Sequence, residues 1–272
     1  MDQYEYIVHW VLARTPAQRR RVLDFGCGSG KVVAKLRAAG VEARGCDLYP
    51  VDRSRSVLAT ELGIAAISPM VEGKIPFPDN YFECVVSNMV FEHVVDIDLA
   101  LDEIARVLRP GGVFLCLFPD LGVFREDHTC IPLLHWFGRE SRFRVAWAAS
   151  LRRLGFGHRT FSGNGRAWAH QACDYLDRWT VYRSPAVVRR TFDQRFDSRT
   201  HIEDAWLLAR LGRKATWVRW MPAPVLRCIG RRFFTVAFVC NRPEVGSATT
   251  GLLNDETRSI NNRCESESPQ IP

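Results

Sequence analysis

The residues best placed to do chemistry form a short glycine-rich run. Gly26-Cys27-Gly28-Ser29-Gly30 has an acid, Asp24, just before it and a second acid, Asp47, about twenty residues after its first glycine. Glycines let a backbone approach a ligand closely, and a helix beginning at the last of them offers free N–H donors. A carboxylate at the distance of Asp47 can accept both hydroxyls of a ribose. The spacing is G-x-G-x-G followed by Lys31, not the G-x-G-x-x-G of dinucleotide sites. An acid at position 24 would repel a pyrophosphate but suits a cationic amino-acid end. The expected ligand is a nucleoside without a pyrophosphate.

S-adenosylmethionine has those parts: an ammonium, a carboxylate and a sulfonium joined to adenosine. Displacement at a sulfonium methyl depends on alignment, and a hydroxyl acceptor also needs a group that takes its proton. Two histidines are candidates. His93 lies just beyond an apolar strand, and His128 sits in Arg125-Glu126-Asp127-His128-Thr129. Glu126 and Asp127 could orient a base at His128 or join it around a divalent ion. The base is the expected role, and no metal ligands are assigned. For His93, helix capping or packing is an equal alternative. His135, inside Leu134-His135-Trp136, reads as a packed core residue.

These residues need a sheet to hold them. From residue 22 to 118 strands and helices alternate, the pattern of a doubly wound parallel sheet. Strands are expected at 21–25, 41–46, 64–67, 82–90 and 113–118, and helices at 31–39, 52–62 and 98–108. The alternation stops after Pro119 and resumes near Ser184, which can cap a helix starting at Pro185. Residues 200–207 and 233–240 are expected as the last, antiparallel strands. The division that follows is an N-terminal helix (1–21), a main domain (22–242) with a substrate-cap insertion (119–183), and a disordered tail (243–272).

Five stretches, in order, resemble the class I S-adenosylmethionine-dependent methyltransferases of type 11. They are Leu23-Asp24-Phe25-Gly26-Cys27-Gly28-Ser29-Gly30; Asp47; Ile75-Pro76-Phe77-Pro78-Asp79-Asn80-Tyr81-Phe82; Phe91-Glu92-His93-Val94; and Leu108-Arg109-Pro110-Gly111-Gly112. The resemblance implies a Rossmann-like, mostly parallel seven-stranded α/β sheet with a helical insertion after the fifth strand, and S-adenosylmethionine as cofactor. By resemblance, Asp24, Gly26, Cys27, Gly28 and Gly30 hold the amino-acid end and Asp47 the ribose. Leu48 flanks the adenine, and Asn88 and Met89 line the methyl side. Many relatives carry an acid before the Ile-Pro-Phe element; here Met70, Glu72 or a backbone group is left for that contact.

The insertion, with Leu134-His135-Trp136-Phe137 and Tyr175-Leu176-Asp177-Arg178-Trp179-Thr180-Val181-Tyr182-Arg183-Ser184-Pro185, looks more loosely like a bacterial subgroup associated with glycan assembly. That implies a small-molecule or glycolipid acceptor, methylated at a hydroxyl.

Composition sets the outer bounds. The chain has 272 residues, 47% hydrophobic and 25% charged, with a net charge of +7, enough to bury a full core. Its nine cysteines are scattered singly, which reads as reduced thiols in a cytoplasm. The start, Met1-Asp2-Gln3-Tyr4-Glu5, reads against a secretory signal. Arg139, Arg142, Arg144, Arg152 and Arg153 are expected on a solvated helix face, with phosphate or an anionic membrane as the alternative. Trp and Arg interleaved over 216–232 allow peripheral contact with the inner membrane face. The basic balance prompts an RNA methyltransferase as the second reading, but Ser87-Asn88-Met89-Val90 lacks the Asn-Pro-Pro-aromatic turn that stacks a base, so no nucleic-acid partner is expected. A non-catalytic cofactor-binding module is the third reading.

Overall fold

The structure, a computed structural model, describes residues 1–15, 21–48, 66–158 and 161–244. Seven strands form one sheet: β1 (Arg21–Phe25), β2 (Glu42–Asp47), β3 (Ile67–Pro69), β4 (Phe82–Asn88), β5 (Leu108–Phe118), β6 (Ser198–His201) and β7 (Val236–Asn241). Their order is β3-β2-β1-β4-β5-β7-β6. The pairs from β3 through β5 are parallel, whereas β7 runs antiparallel to both β5 and β6. A parallel sheet covered on both faces needs strands apolar on both sides. Hence Val22 to Phe25 and Phe82 to Ser87 are buried without interruption. The chain reverses its winding between β1 and β4, and ligands of such sheets bind beyond the carboxyl ends of the strands at that point.

Three clusters fill the interior. One face of the sheet packs Phe91, Phe114, Phe118, Phe192 and Phe238 together. The other face is covered by α1 (Gln3–Arg14), which contributes Ile7, Trp10 and Val11, and by α2 (Lys31–Ala38), which contributes Val33 and Leu36. Asp2 and Glu5 cap the start of α1 reciprocally. The third cluster belongs to the segment after β5. There α4 (Arg142–Arg153) and α5 (Gly165–Trp179) bury Ala148, Ala149, Trp168, Ala172, Cys173 and Leu176 between them.

Several elements differ from expectation. Helix α3 runs Ile97–Val107, one residue earlier than read, because the Asp96 carboxylate accepts from Leu99 N–H and caps it. Strand β5 starts at Leu108 rather than 113, taking in the Arg109–Gly112 turn as an irregular stretch where Gly111 has φ +70°. Residues 200–207 are not one strand. β6 ends at His201 and helix α7 (Glu203–Leu211) follows, because Ile202, Trp206 and Leu207 share a buried helical face and Glu203 and Asp204 favour a helix N-terminus. The prolines at 222 and 224 open α8 (Ala223–Phe233), where a missing N–H costs nothing. That helix also takes Phe233 out of β7. As read, Ser184 caps α6 (Pro185–Asp193), its hydroxyl accepting from Val187 N–H. The helix read at 52–62, part of the strand read at 64–67, and the tail beyond Glu244 lie outside the described residues.

Arginines lock the loops to this frame. Arg106 on α3 donates to the carbonyls of Ile75 and Phe77 and pairs with Glu103 and Asp79, fixing the Ile-Pro-Phe element. Arg144 is buried and paired with Asp177 at 2.6 Å, so it is not on a solvated face; the helix needs it to join α4 to α5. Among the described residues no helix is long and apolar enough to cross a membrane.

Phe192 touches the rings of Phe91, Phe114, Phe118 and Phe238 at centroid distances of 4.9–6.3 Å. Phe192→Ala is expected to lower unfolding free energy by about 3–5 kcal/mol, read by denaturant titration.

Candidate functional site

Strand β1 delivers the glycine loop to the carboxyl edge of the sheet. Gly26, Gly28 and Gly30 have φ of +72°, +51° and +79°, and the N–H groups of Gly26 and Cys27 both donate to the Cys46 carbonyl at the end of β2. Gly26 is required by space as well as by backbone conformation, since a Cβ there would meet the Val90 side chain at 2.4 Å. This contact brings the loop after β4 directly against the glycine loop. The Cys27 side chain turns inward towards Gly45, leaving its backbone towards the crevice.

Asp47 ends β2, and its Oδ2 accepts from the Gly28 N–H at 2.6 Å. Beside it Leu48 is 60% exposed, an apolar side chain standing open next to a carboxylate. Met70 is buried, with its N–H on the Asp47 carbonyl, while Glu72 is exposed in the following turn. Asp24 is buried beneath the loop. Burial, and then the charge of Asp47, hold its carboxyl well above the ordinary carboxylate range. An acid in that setting gains from a cation brought close to it.

The second half of the site follows β4. Asn88 closes the strand, Met89 takes a φ of +58° with its N–H on the Leu117 carbonyl, and Glu92 and His93 come next. Arg183 holds this turn, its guanidinium donating to the carbonyls of Phe91, Val94 and Val95. The segment after β5 returns to the same place. There His93 Nε2 and His128 Nε2 lie 3.3 Å apart.

Each ring is anchored through its other nitrogen. His93 Nδ1 is 2.6 Å from the Trp179 carbonyl, and His128 Nδ1 is 2.7 Å from Glu126 Oε1. Glu126 is buried and accepts from the N–H groups of His128 and Thr129, the Thr129 hydroxyl and the Tyr182 hydroxyl. Burial pushes its pKa up, but His128 and these hydrogen bonds outweigh that and bring it down to about 2. For His128, burial lowers the pKa, but the Glu126 hydrogen bond and charge outweigh it and leave it above the ordinary histidine value. Among the described residues neither Glu92 oxygen has a hydrogen-bond partner, and its pKa is pushed up to about 8, chiefly by burial. Next to Tyr182 a cavity of about 190 Å³ is lined by His135, Phe137, Arg139, Asp177 and Thr180, among others.

The structure thus joins the two expected histidines, which stand 35 positions apart in the chain, and it places His135 in the core against Tyr182. Of the acids near His128, Glu126 touches it and Asp127 pairs with Arg125. Glu92 and Tyr182 were not read as site residues. Glu92 stood inside Phe91-Glu92-His93-Val94 and Tyr182 inside the stretch before Ser184, but nothing local signals that they meet.

Residues 23–116 match a family model described as a methyltransferase domain. Over 144 residues the chain is 34% identical to a demethylmenaquinone methyltransferase of Symbiobacterium thermophilum, covering 45% of this chain and 57% of that one. Over 105 residues it is 32% identical to a ubiquinone/menaquinone biosynthesis C-methyltransferase of Vibrio cholerae, covering 36% and 40%. The chain therefore spans only about half the length of these curated relatives. Its fold is similar to that of an S-adenosylmethionine-dependent methyltransferase from Mesorhizobium loti, with TM-score 0.52 and 15% identity over 88% of this chain and 100% of that one. The sheet order and this likeness make the architecture a Rossmann-like, mostly parallel α/β sheet of the kind that methyltransferase has. Glu92 and His93 lie inside the matched domain; His128 lies outside it.

Glu126→Ala leaves the partners of its carboxylate unpaired in a buried setting. The expected loss is about 3 kcal/mol of unfolding free energy, measured by urea titration of the purified chain.

Proposed function

We propose that the chain is an S-adenosylmethionine-dependent methyltransferase that acts on a hydroxyl of a sugar or glycolipid-type acceptor. The observation that carries this reading is the His93–His128 pair at the carboxyl edge of the sheet, packed through Val90 against the glycine loop. Bound S-adenosylmethionine supplies an electrophilic methyl carbon on a sulfonium. The residues present suit it: Asp47 to accept the ribose hydroxyls, exposed Leu48 for the adenine, and the backbone of Gly26, Cys27, Gly28 and Gly30 for the amino-acid end. Buried Asp24, held above the ordinary carboxylate range by burial and Asp47, would be favoured by the ammonium of that end. Asn88 and Met89 border the methyl side.

In this reading His93 and His128 are where the acceptor hydroxyl is held and loses its proton. With the cofactor bound, the oxygen pair would form the new bond to the methyl carbon while the pair of the carbon–sulfur bond would stay with sulfur. Residues 119–183 act as the acceptor cap, and the cavity beside Tyr182 offers polar groups next to aromatic rings, a combination that suits a hydroxylated ring. The names of the curated relatives point instead to carbon methylation of quinone precursors. Yet His128 lies beyond the matched family segment, so the reading for this chain's acceptor rests on its own residues. The setting in this reading is the cytoplasm, with Trp217 and Trp220, both exposed, as the residues that would touch a membrane face.

Calorimetry separates the two halves of the site. Asp47→Ala is expected to weaken S-adenosylmethionine binding by about tenfold or more, since a hydrogen bond to a charged group contributes roughly 1.5–3 kcal/mol. His128→Ala should bind the cofactor as the wild type does while losing about a hundredfold or more in methyl-transfer rate. Unimpaired transfer by His128→Ala would contradict the assigned role.

A further inference from the structure

We propose that Glu92, His93 and His128 bind a divalent first-row transition-metal ion. One ligand atom from each lies within 4.8 Å of the other two, with the imidazole Nε2 atoms 3.3 Å apart and Glu92 Oε1 4.0 Å from His93 Nε2. Two nitrogens held at about 2.0–2.1 Å from one tetrahedral ion stand about 3.3–3.4 Å apart. The imidazole pair already has that spacing.

Hydrogen bonding sets which nitrogen of each ring carries a lone pair. The Trp179 carbonyl can only accept, so the His93 Nδ1 it faces carries a proton. Glu126 takes all its bonds as an acceptor and faces His128 Nδ1, which therefore also donates. In the neutral rings each Nε2 then carries a lone pair, and the two atoms lie 3.3 Å apart, within reach of one shared cation. A shared proton would join the two rings but would leave Glu92 untouched. Its side chain is fully buried, and among the described residues neither oxygen has a hydrogen-bond partner. One divalent ion answers all three groups at once.

The surroundings fit a metal centre in two further respects. Imidazoles that bind metal usually donate their other N–H to a carboxylate or a backbone carbonyl, and here one does each. The His93 side chain is 37% exposed, whereas that of Glu92 is wholly buried. Three ligands approach from the protein side, leaving positions open towards the crevice, as in catalytic sites. Two imidazoles and one carboxylate favour zinc, cobalt, manganese or iron over magnesium or calcium, which take oxygen donors.

This deepens the hydroxyl-methylation reading and rests on it only for the acceptor. With the ion bound, the histidines act as its ligands. A hydroxyl seated at an open position loses its proton to solvent water more readily, and its oxygen pair then attacks the methyl carbon as described above.

The test is a Co²⁺ titration of the full chain after removal of metals by a chelator, read by visible absorption and by calorimetry. The expected result is one equivalent bound per chain, with the absorption bands lost when Zn²⁺ is added. His93→Ala and Glu92→Gln should each weaken binding by about tenfold or more, while His9→Ala on α1 should leave it unchanged. Far-UV circular dichroism on the same samples confirms that the variants are folded, and the exposure of His93 keeps at least that variant informative. Absence of Co²⁺ binding in the wild type, or binding that survives in both His93→Ala and Glu92→Gln, overturns the proposal. Measuring S-adenosylmethionine binding on the same wild-type sample keeps the two readings apart: a chain that binds Co²⁺ but not the cofactor refutes the methyltransferase reading and leaves the metal site standing.

Discussion

The carboxylate of Glu126 organises the site more than any other group. It is buried, which for a charge costs several kcal/mol unless its hydrogen-bonding capacity is met. Five donors from His128, Thr129 and Tyr182 meet it, and charge-assisted bonds are strong enough that the acid stays ionised, with its pKa brought down to about 2. Those bonds have structural consequences. They fold residues 126–129 into a tight turn, tie that turn to Tyr182 more than fifty positions later, and set the tilt and proton of the His128 ring. Everything the site can do with His128 follows from that arrangement.

The remaining geometry comes from two loops made to share one edge of the sheet. Strands β1 and β4 are neighbours at the point where winding reverses, so the loops leaving them are adjacent by topology. Gly26 lets them touch, because any side chain there would collide with Val90. Arg183 then fastens the β4 loop from the far side through the carbonyls of Phe91, Val94 and Val95. A guanidinium suits this work because its planar fork presents several donors at once and stays charged when half-buried. Helix α5 completes the enclosure, delivering the Trp179 carbonyl to His93.

The sheet was legible wherever local chemistry decides structure. The mostly apolar runs of β1 and β4, the glycines at 26, 28 and 30, and the Ser184-Pro185 helix start all carry their signal within a few residues. Asp47 was legible for the same reason, as the acid at the end of the strand following the glycine turn. Misreadings fell where tertiary packing chose between outcomes. Residues 200–207 hold enough threonine, isoleucine, tryptophan and leucine to pass for a strand, and only burial of Trp206 and Leu207 on one face makes the second part helical. Arg144 looked solvated because its partner Asp177 is 33 positions away. In the site, His93 and His128 were each visible as chemistry-bearing residues, but their meeting beside the buried Glu92 depends on a contact across 35 positions that no local pattern encodes.

The most direct test of the central claim is transfer itself. Purified chain would be incubated with methyl-labelled S-adenosylmethionine and fractionated bacterial lysate, alongside Asp47→Ala as control, and the labelled product identified by mass spectrometry. Label is expected on a hydroxyl oxygen in a sugar or glycolipid fraction, and is absent with the variant. Label on RNA, or on a ring carbon of a quinone precursor, would contradict it.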